Sequence, residues 1–272
     1  MKAKSMTFFL TILTLYLCFT AALYLFQRPL TYPAPQTRYT PAQMGRNAVE
    51  IVHATTADGL RLEGWYRPAK NKSKPTIVLF HGNADYHANA MHWMQPHLEQ
   101  GFGVLATEYR GYSGNPGSPS EQGLYNDARA WIEFLKARGV AVPSMILYGQ
   151  SIGTGVATQM ATEFPEARAL ILYAPFTSLL AVAKTRYWFV PVDLLMKDRY
   201  DSLAKIPSIH MPVFIINGLA DTLVPPAHGK ALFDAAHEPK ALVQVPGYGH
   251  ADVPLDVVGA RVTHFLDGLP HQ

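Results

Sequence analysis

Cysteine is almost missing from this chain: Cys18 stands alone among 272 residues. No intramolecular disulfide can form, and no set of thiolates can hold zinc. Charge is sparse as well, at 16% of residues against 49% apolar. Disordered chains have the opposite balance, so disorder is excluded as the main state. The net charge is only +3, and Lys2 and Lys4 supply two of those charges. The remainder of the chain carries no basic field for a polyanion, which excludes nucleic acid as a partner. Neither a G-x-x-x-x-G-K-[ST] phosphate loop nor an H-E-x-x-H zinc motif occurs. Gly101 to Ala106 fits G-x-G-x-x-A, but the motif enters a strand instead of following one, so it fails as a dinucleotide fingerprint. His87, His92 and His97 recur every five residues, a spacing that scatters them around a helix and builds no metal face.

One long apolar run is present. Met6 to Phe26 holds 21 residues without a charge. As a helix it is roughly 31 Å long, enough to cross a bilayer core. Lys2 and Lys4 precede it, as in the n-region of a signal sequence. The run exceeds the apolar stretch of a cleaved signal, although Thr20-Ala21-Ala22 offers a cleavage site. Leu17 before Cys18 departs from a lipoprotein signal. The expectation is a retained signal-anchor over residues 1–26, with the domain beyond it on the non-cytoplasmic side by the positive-inside rule. Arg28, Arg38 and Arg46 on the far side pull against that orientation.

Residues 27–47, with Pro29, Pro33, Pro35 and Pro41, read as a surface linker. The rest, 48–272, has the length of one α/β unit. Val49–Thr55 and Leu60–Tyr66 flank Ala57-Asp58-Gly59 and predict an antiparallel hairpin. Short apolar runs then alternate with helical patterns. Strands are expected at Thr76–Phe80, Gly103–Thr107, Met145–Tyr148, Ala169–Tyr173, Val213–Asn217 and Ala241–Val245. Helices are expected at Ala88–Gln100, Ser120–Arg138, Ile152–Phe164, His228–Ala236 and Val257–Leu266. Continuous apolar strands between helices imply a mostly parallel sheet covered on both faces. The stretch 177–210 is irregular, and its Tyr187-Trp188-Phe189-Val190 reads either as a lid over an acyl pocket or as core.

The chemistry concentrates at strand ends. Gly149-Gln150-Ser151-Ile152-Gly153 matches G-x-S-x-G between a strand and a helix, the context of a nucleophile elbow. The glycines are required where side chains would strike neighbouring backbone, and the N–H of Ile152 faces the place where an oxyanion would form. A serine hydroxyl needs a general base, and the base an orienting carboxylate. In the chain order of this motif's fold, Asp221 follows the strand Val213–Asn217 and His250 follows Ala241–Val245. Asp193, Asp198 and Asp201 follow no strand, and Asp252 sits too close in sequence to His250 to orient it; Asp252 is expected to cap the last helix. His81-Gly82-Asn83, after the strand Thr76–Phe80, supplies the second oxyanion donor, the N–H of Asn83, while His81 reads as structural.

From Val49 to Leu266 the chain resembles the α/β-hydrolase superfamily. Within it the chain is similar to the membrane-anchored α/β-hydrolase-domain proteins, a group related to protein depalmitoylases. The matching stretches are His81 to Ala84, Tyr109-Arg110-Gly111-Tyr112-Ser113-Gly114, Pro119-Ser120-Glu121, Gly149 to Gly153, Arg199-Tyr200-Asp201-Ser202, Gly218 to Pro225 and Pro246 to His250. Glu108, where that family usually has Asp, and Ala220, where a bulkier or polar residue is common, depart from it. The resemblance implies an α/β-hydrolase fold with a short cap and hydrolysis of an ester, thioester or amide without a cofactor. The expected activity is a serine hydrolase acting on a small or lipid-like acyl substrate, ester or thioester. A peptidase or acyltransferase on the same Ser-Asp-His set, and a non-catalytic tethered binding protein, are the alternatives. Nothing in the sequence sets an oligomeric state.

Overall fold

The computed structural model describes residues 2–270. A helix, α1 (Lys2–Thr31), precedes the hairpin β1 (Glu50–Thr55) and β2 (Arg61–Arg67). Next come β3 (Thr76–Phe80), α2 (His87–Trp93), α3 (Gln95–Glu99), β4 (Gly103–Ala106), α4 (Glu121–Ala137), β5 (Met145–Gln150) and α5 (Ile152–Glu163). After β6 (Ala169–Tyr173) come three short helices, α6 (Leu179–Arg186), α7 (Val192–Leu195) and α8 (Ser202–Lys205). The chain ends through β7 (Val213–Gly218), α9 (Ala227–Ala235), β8 (Lys240–Val245) and α10 (Leu255–Asp267).

The eight strands form one sheet in the order β1-β2-β4-β3-β5-β6-β7-β8. β1 pairs with β2, and β2 with β4, antiparallel; every other pair is parallel. The mostly parallel sheet is the one expected from the alternation of apolar runs, and the whole has the α/β-hydrolase architecture that the resemblance implies. Successive side chains of a strand point to opposite faces. Val78 and Phe80 of β3 therefore pack with Trp131, Val156 and Met160 beneath α4 and α5. Ile77 and Leu79 pack with Met91, Leu98, Val258 and Val262 beneath α2, α3 and α10. Each fully buried side chain of this size stabilises the fold by about 1.5–3 kcal/mol, and Ile77, Val78, Leu79 and Phe80 of β3 are all fully buried.

Strand order reverses at β3, with β4 on one side and β5 on the other. Loops leaving neighbouring strands at such a point diverge and open a crevice at the carboxyl edge of the sheet. The loops after β3 and β5 meet there.

Three expectations need correction. The helical pattern at Ala88–Gln100 is two helices broken at Met94, with Pro96 at the start of the second, where its missing N–H costs nothing. The segment from residue 27 is not all linker. α1 continues through Thr31, Tyr32 is buried, and Gln27 and Arg28 bond to the cap, the segment 179–198 that holds α6 and α7. Asp252 caps no helix: α10 starts after Pro254 without a side-chain cap.

α1 is the one candidate membrane span among the described residues, apolar over Lys4–Thr31 by length and composition.

Candidate active site

Ser151 stands between β5 and α5 with φ 50° and ψ −119°. A side-chain-bearing residue rarely adopts this conformation, which costs about 1–3 kcal/mol and persists only where its surroundings enforce it. Those surroundings are glycines. A Cβ on Gly149 would strike the backbone of Gly153 and Thr154, and one on Gly153 would strike the carbonyl of Phe80. The elbow thus lies directly against the end of β3. The N–H of Ser151 donates to the carbonyl of Tyr173 at 2.9 Å, which ties the turn to β6 as well.

His250 and Asp221 come from the loops after β8 and β7. The N–H of Leu219 donates to the Val245 carbonyl at 2.9 Å and that of Ala220 to the Tyr248 carbonyl at 2.7 Å. Gly218 is required at this junction, because a Cβ there would collide with the carbonyls of Tyr248 and Gly249. The Tyr173 hydroxyl supports the same loop by accepting from the N–H of Val253 at 2.9 Å.

The structure brings Ser151, His250 and Asp221 together in that order. His250 Nε2 lies 2.8 Å from Ser151 Oγ, and His250 Nδ1 lies 2.7 Å from Asp221 Oδ2. The second carboxylate oxygen of Asp221 accepts from the N–H groups of Leu223 at 2.9 Å and Val224 at 2.8 Å. Its side chain is wholly buried and so fixed in direction, while that of His250 stays partly open. With Asp221 ionised, Nδ1 carries the proton and Nε2 is left to accept from Ser151. Asp193, Asp198 and Asp201 serve elsewhere: Asp193 pairs with Lys184, Asp198 with Arg28, and Asp201 caps α8.

Asn83 and Ile152 flank Ser151 at the wall of one cavity. Among the described residues, neither backbone N–H finds an acceptor in the protein. The Asn83 side chain is locked from both ends. Its amide nitrogen donates to the carbonyl of Thr31, and its amide oxygen accepts from the Tyr112 hydroxyl at 3.0 Å. The apolar pattern carries no sign of that lock, since it joins a loop to the end of α1.

Beneath this loop lies a buried polar cluster. Glu108 is bonded to His81 Nε2 and His87 Nδ1, each at 2.6 Å, and accepts from the Ser113 hydroxyl at 2.7 Å. Burial opposes ionisation of Glu108, but the charge and hydrogen bond of His81, helped by His87, hold its carboxyl well below the usual range. Burial likewise opposes the charge on His81, and Glu108 raises its pKa in spite of that. His81 is therefore a buttress under the loop that carries Asn83, and Glu108 is a buried hub. Among the described residues no group of three His, Cys, Asp or Glu side chains is arranged to hold a metal.

The cavity in front of Ser151 has a volume of about 300 Å³ and is mainly apolar, at the lower end of the ~300–1,000 Å³ common for small-molecule sites. One wall comes from α6, α7 and the turn between them, with Val182, Tyr187 and Val190; the facing wall comes from α1. Tyr187 and Val190 thus line the cavity, whereas Trp188 and Phe189 are exposed.

Comparison with known proteins agrees with this architecture. Residues 71–202 match the family described as serine aminopeptidase, S33. An uncharacterised protein of Mycobacterium tuberculosis is 43% identical over 205 residues, covering 72% of this chain and 70% of that protein. Human alpha/beta hydrolase domain-containing protein 17B is 32% identical over 216 residues, covering 77% of this chain and 72% of that protein. A Pyrococcus furiosus esterase superposes with a TM-score of 0.68 at 22% identity, over 87% of this chain and 98% of that one. The strained elbow, the crevice at the strand reversal and these relatives lead to one statement: the chain belongs to the α/β-hydrolase superfamily and is related to its α/β-hydrolase-domain proteins, hydrolases by family.

Proposed function

We propose that the protein is a serine hydrolase that cleaves a carboxylic ester or thioester through an acyl-enzyme. The reading rests on one observation above all, the unbroken chain from Asp221 Oδ2 through His250 to Ser151 Oγ, with links of 2.7 and 2.8 Å. Ser151 Oγ attacks the acyl carbonyl while His250 Nε2 takes its proton. Asp221 steadies the imidazolium through Nδ1–H. The carbonyl oxygen becomes an oxyanion and accepts from the N–H groups of Asn83 and Ile152. Collapse breaks the bond to the alcohol or thiol, which leaves with the proton from Nε2. Water then repeats the sequence on the acyl-enzyme and releases a carboxylic acid and free Ser151.

The cavity favours an acyl group over a peptide. An aminopeptidase needs an anion to meet the substrate ammonium, yet among the described residues no acidic side chain lines this cavity, and the one charged residue there is Arg186. The same walls suit a lipid-like acyl group. In this reading α1 anchors the protein to a membrane, the hydrolase domain begins near residue 48, and Lys2 and Lys4 keep the catalytic domain on the non-cytoplasmic side. No cofactor takes part.

A panel of acyl esters, acyl thioesters and aminoacyl amides tests the reading. Turnover of esters or thioesters, abolished in Ser151→Ala, is expected. Turnover confined to aminoacyl amides would favour the peptidase.

A further inference from the structure

α1 does not project freely from the domain. Over its C-terminal half it is bonded to the cap. The Tyr16 hydroxyl donates to the carbonyl of Phe189 at 2.8 Å, and Phe19 stacks on Phe189 with ring centroids 6.1 Å apart. Lys197 sits over the Tyr24 ring at 4.2 Å. Gln27 clasps the cap backbone from both sides, donating to the Leu195 carbonyl at 3.1 Å and accepting from the Lys197 N–H at 2.8 Å. Arg28 reaches Asp198 at 3.2 Å. The turn that ends at Thr31 then holds Asn83 beside Ser151.

This docking shapes the cavity and sets its depth. The cavity before Ser151 is walled by Leu23 and Leu30 of α1 opposite Leu179 and Val182 of the cap. The cap also meets α1 inside its apolar run. Tyr16 lies ten residues before Phe26, which is roughly 15 Å along a helix. A span needs about 20 apolar residues for a ~30 Å core. A helix that crosses with Tyr16 and Phe19 at those levels carries Phe189 below the headgroups. Trp188 and Leu194, more than 80% exposed, are on the same cap. In water these side chains are a liability; in hydrocarbon they are solvated.

We propose that α1 is one wall of the acyl cleft and that the cleft opens into the bilayer, so that the substrate is the long acyl chain of a membrane lipid ester arriving laterally. This rests on the serine-hydrolase reading and adds to it the substrate class and its route. The lipid chain replaces hydrocarbon contacts with Leu23, Leu30, Leu179 and Val182 and never crosses water. Its carbonyl, near the headgroup level, stops at Ser151.

The test uses the full chain in phosphatidylcholine nanodiscs. The ratio of kcat/KM for p-nitrophenyl dodecanoate to that for the acetate is measured for the wild type, Leu23→Trp and Leu30→Trp. Either substitution fills the wall and should lower the ratio about tenfold, the equivalent of two buried methylenes. Leu15→Trp, on an exposed part of α1 away from the cavity, should leave the ratio within about twofold, below one methylene's worth. Lipids brominated at mid-chain should quench wild-type fluorescence more than that of Trp188→Phe. Fluorophosphonate labelling of each variant reports a folded Ser151 site. Unchanged ratios in labelled wall variants, or equal quenching with and without Trp188, would overturn the proposal while leaving the hydrolase reading intact. A wild type that takes no label would overturn both.

Discussion

The carboxyl edge of the sheet and the cap are held together in different ways. At the sheet edge, backbone touches backbone: Gly153 lies against the Phe80 carbonyl and Gly218 against those of Tyr248 and Gly249. At the cap, short helices rest on α1 through separate side-chain contacts, and Trp188 and Leu194 face outward. The first arrangement fixes the loops that carry Ser151, Asp221 and His250 and admits no added atom. The second leaves an apolar cavity of about 300 Å³ between α1 and the cap. In the proposed mechanism the chemistry belongs to the sheet edge and the choice of substrate to the cap.

The sharpest way to break the comparison is at the rigid edge. Asp221→Asn should lower kcat on the order of 10⁴-fold without unfolding the protein, as in other sets of this kind; steady-state kinetics beside a thermal melt checks it. A loss of tenfold or less would mean that another group orients His250.

Glu108→Gln should cost about 3–5 kcal/mol of stability, because it leaves a buried histidine without its counter-charge. The effect should depend on pH. The pKa of His81 is raised in the folded state, so its contribution is whole below the unfolded value of about 6.5 and fades as pH rises through the folded value. Glu108 is depressed, so its share is lost only in strong acid. Chemical denaturation should show a wider gap between wild type and variant at pH 6 than at pH 9, and equal gaps would contradict the pairing.

Gly218→Ala should destabilise by about 1–3 kcal/mol through overpacking and lower kcat by displacing Asp221. A mild change at the cap gives the contrast. Gln27→Ala removes both of its hydrogen bonds to the cap, worth about 0.5–1.5 kcal/mol each. It should alter KM for long-chain esters more than the melting temperature. A large loss of stability there would make the cap as rigid as the sheet edge.

These two regions are unequally legible in the sequence. The core strands are visible because a strand covered on both faces must be a short apolar run: Thr76–Phe80 and Ala169–Tyr173 are strands over those same residues. Ser151, Asp221 and His250 are legible because each follows such a run, and sheet topology then carries their loops to one corner. The break at Met94 is not, since Pro96 is tolerated in the first turn of a helix and leaves the periodicity intact. By sequence Glu108 is a mild change near the sheet edge, yet it is buried between two histidines whose approach depends on tertiary packing. The docking of α1 is hidden for a similar reason. Gln27 and Arg28 look like the polar end of an apolar run, and only the position of Lys197 and Asp198 shows what they bind.

The central claim is that Ser151 is an activated nucleophile. Treatment of the wild-type protein with a fluorophosphonate, followed by peptide mass spectrometry, tests it most directly. A single adduct on Ser151, absent in Ser151→Ala and suppressed in His250→Ala, is the predicted result. Labelling that persists in Ser151→Ala, or a wild type that remains unlabelled, would contradict it.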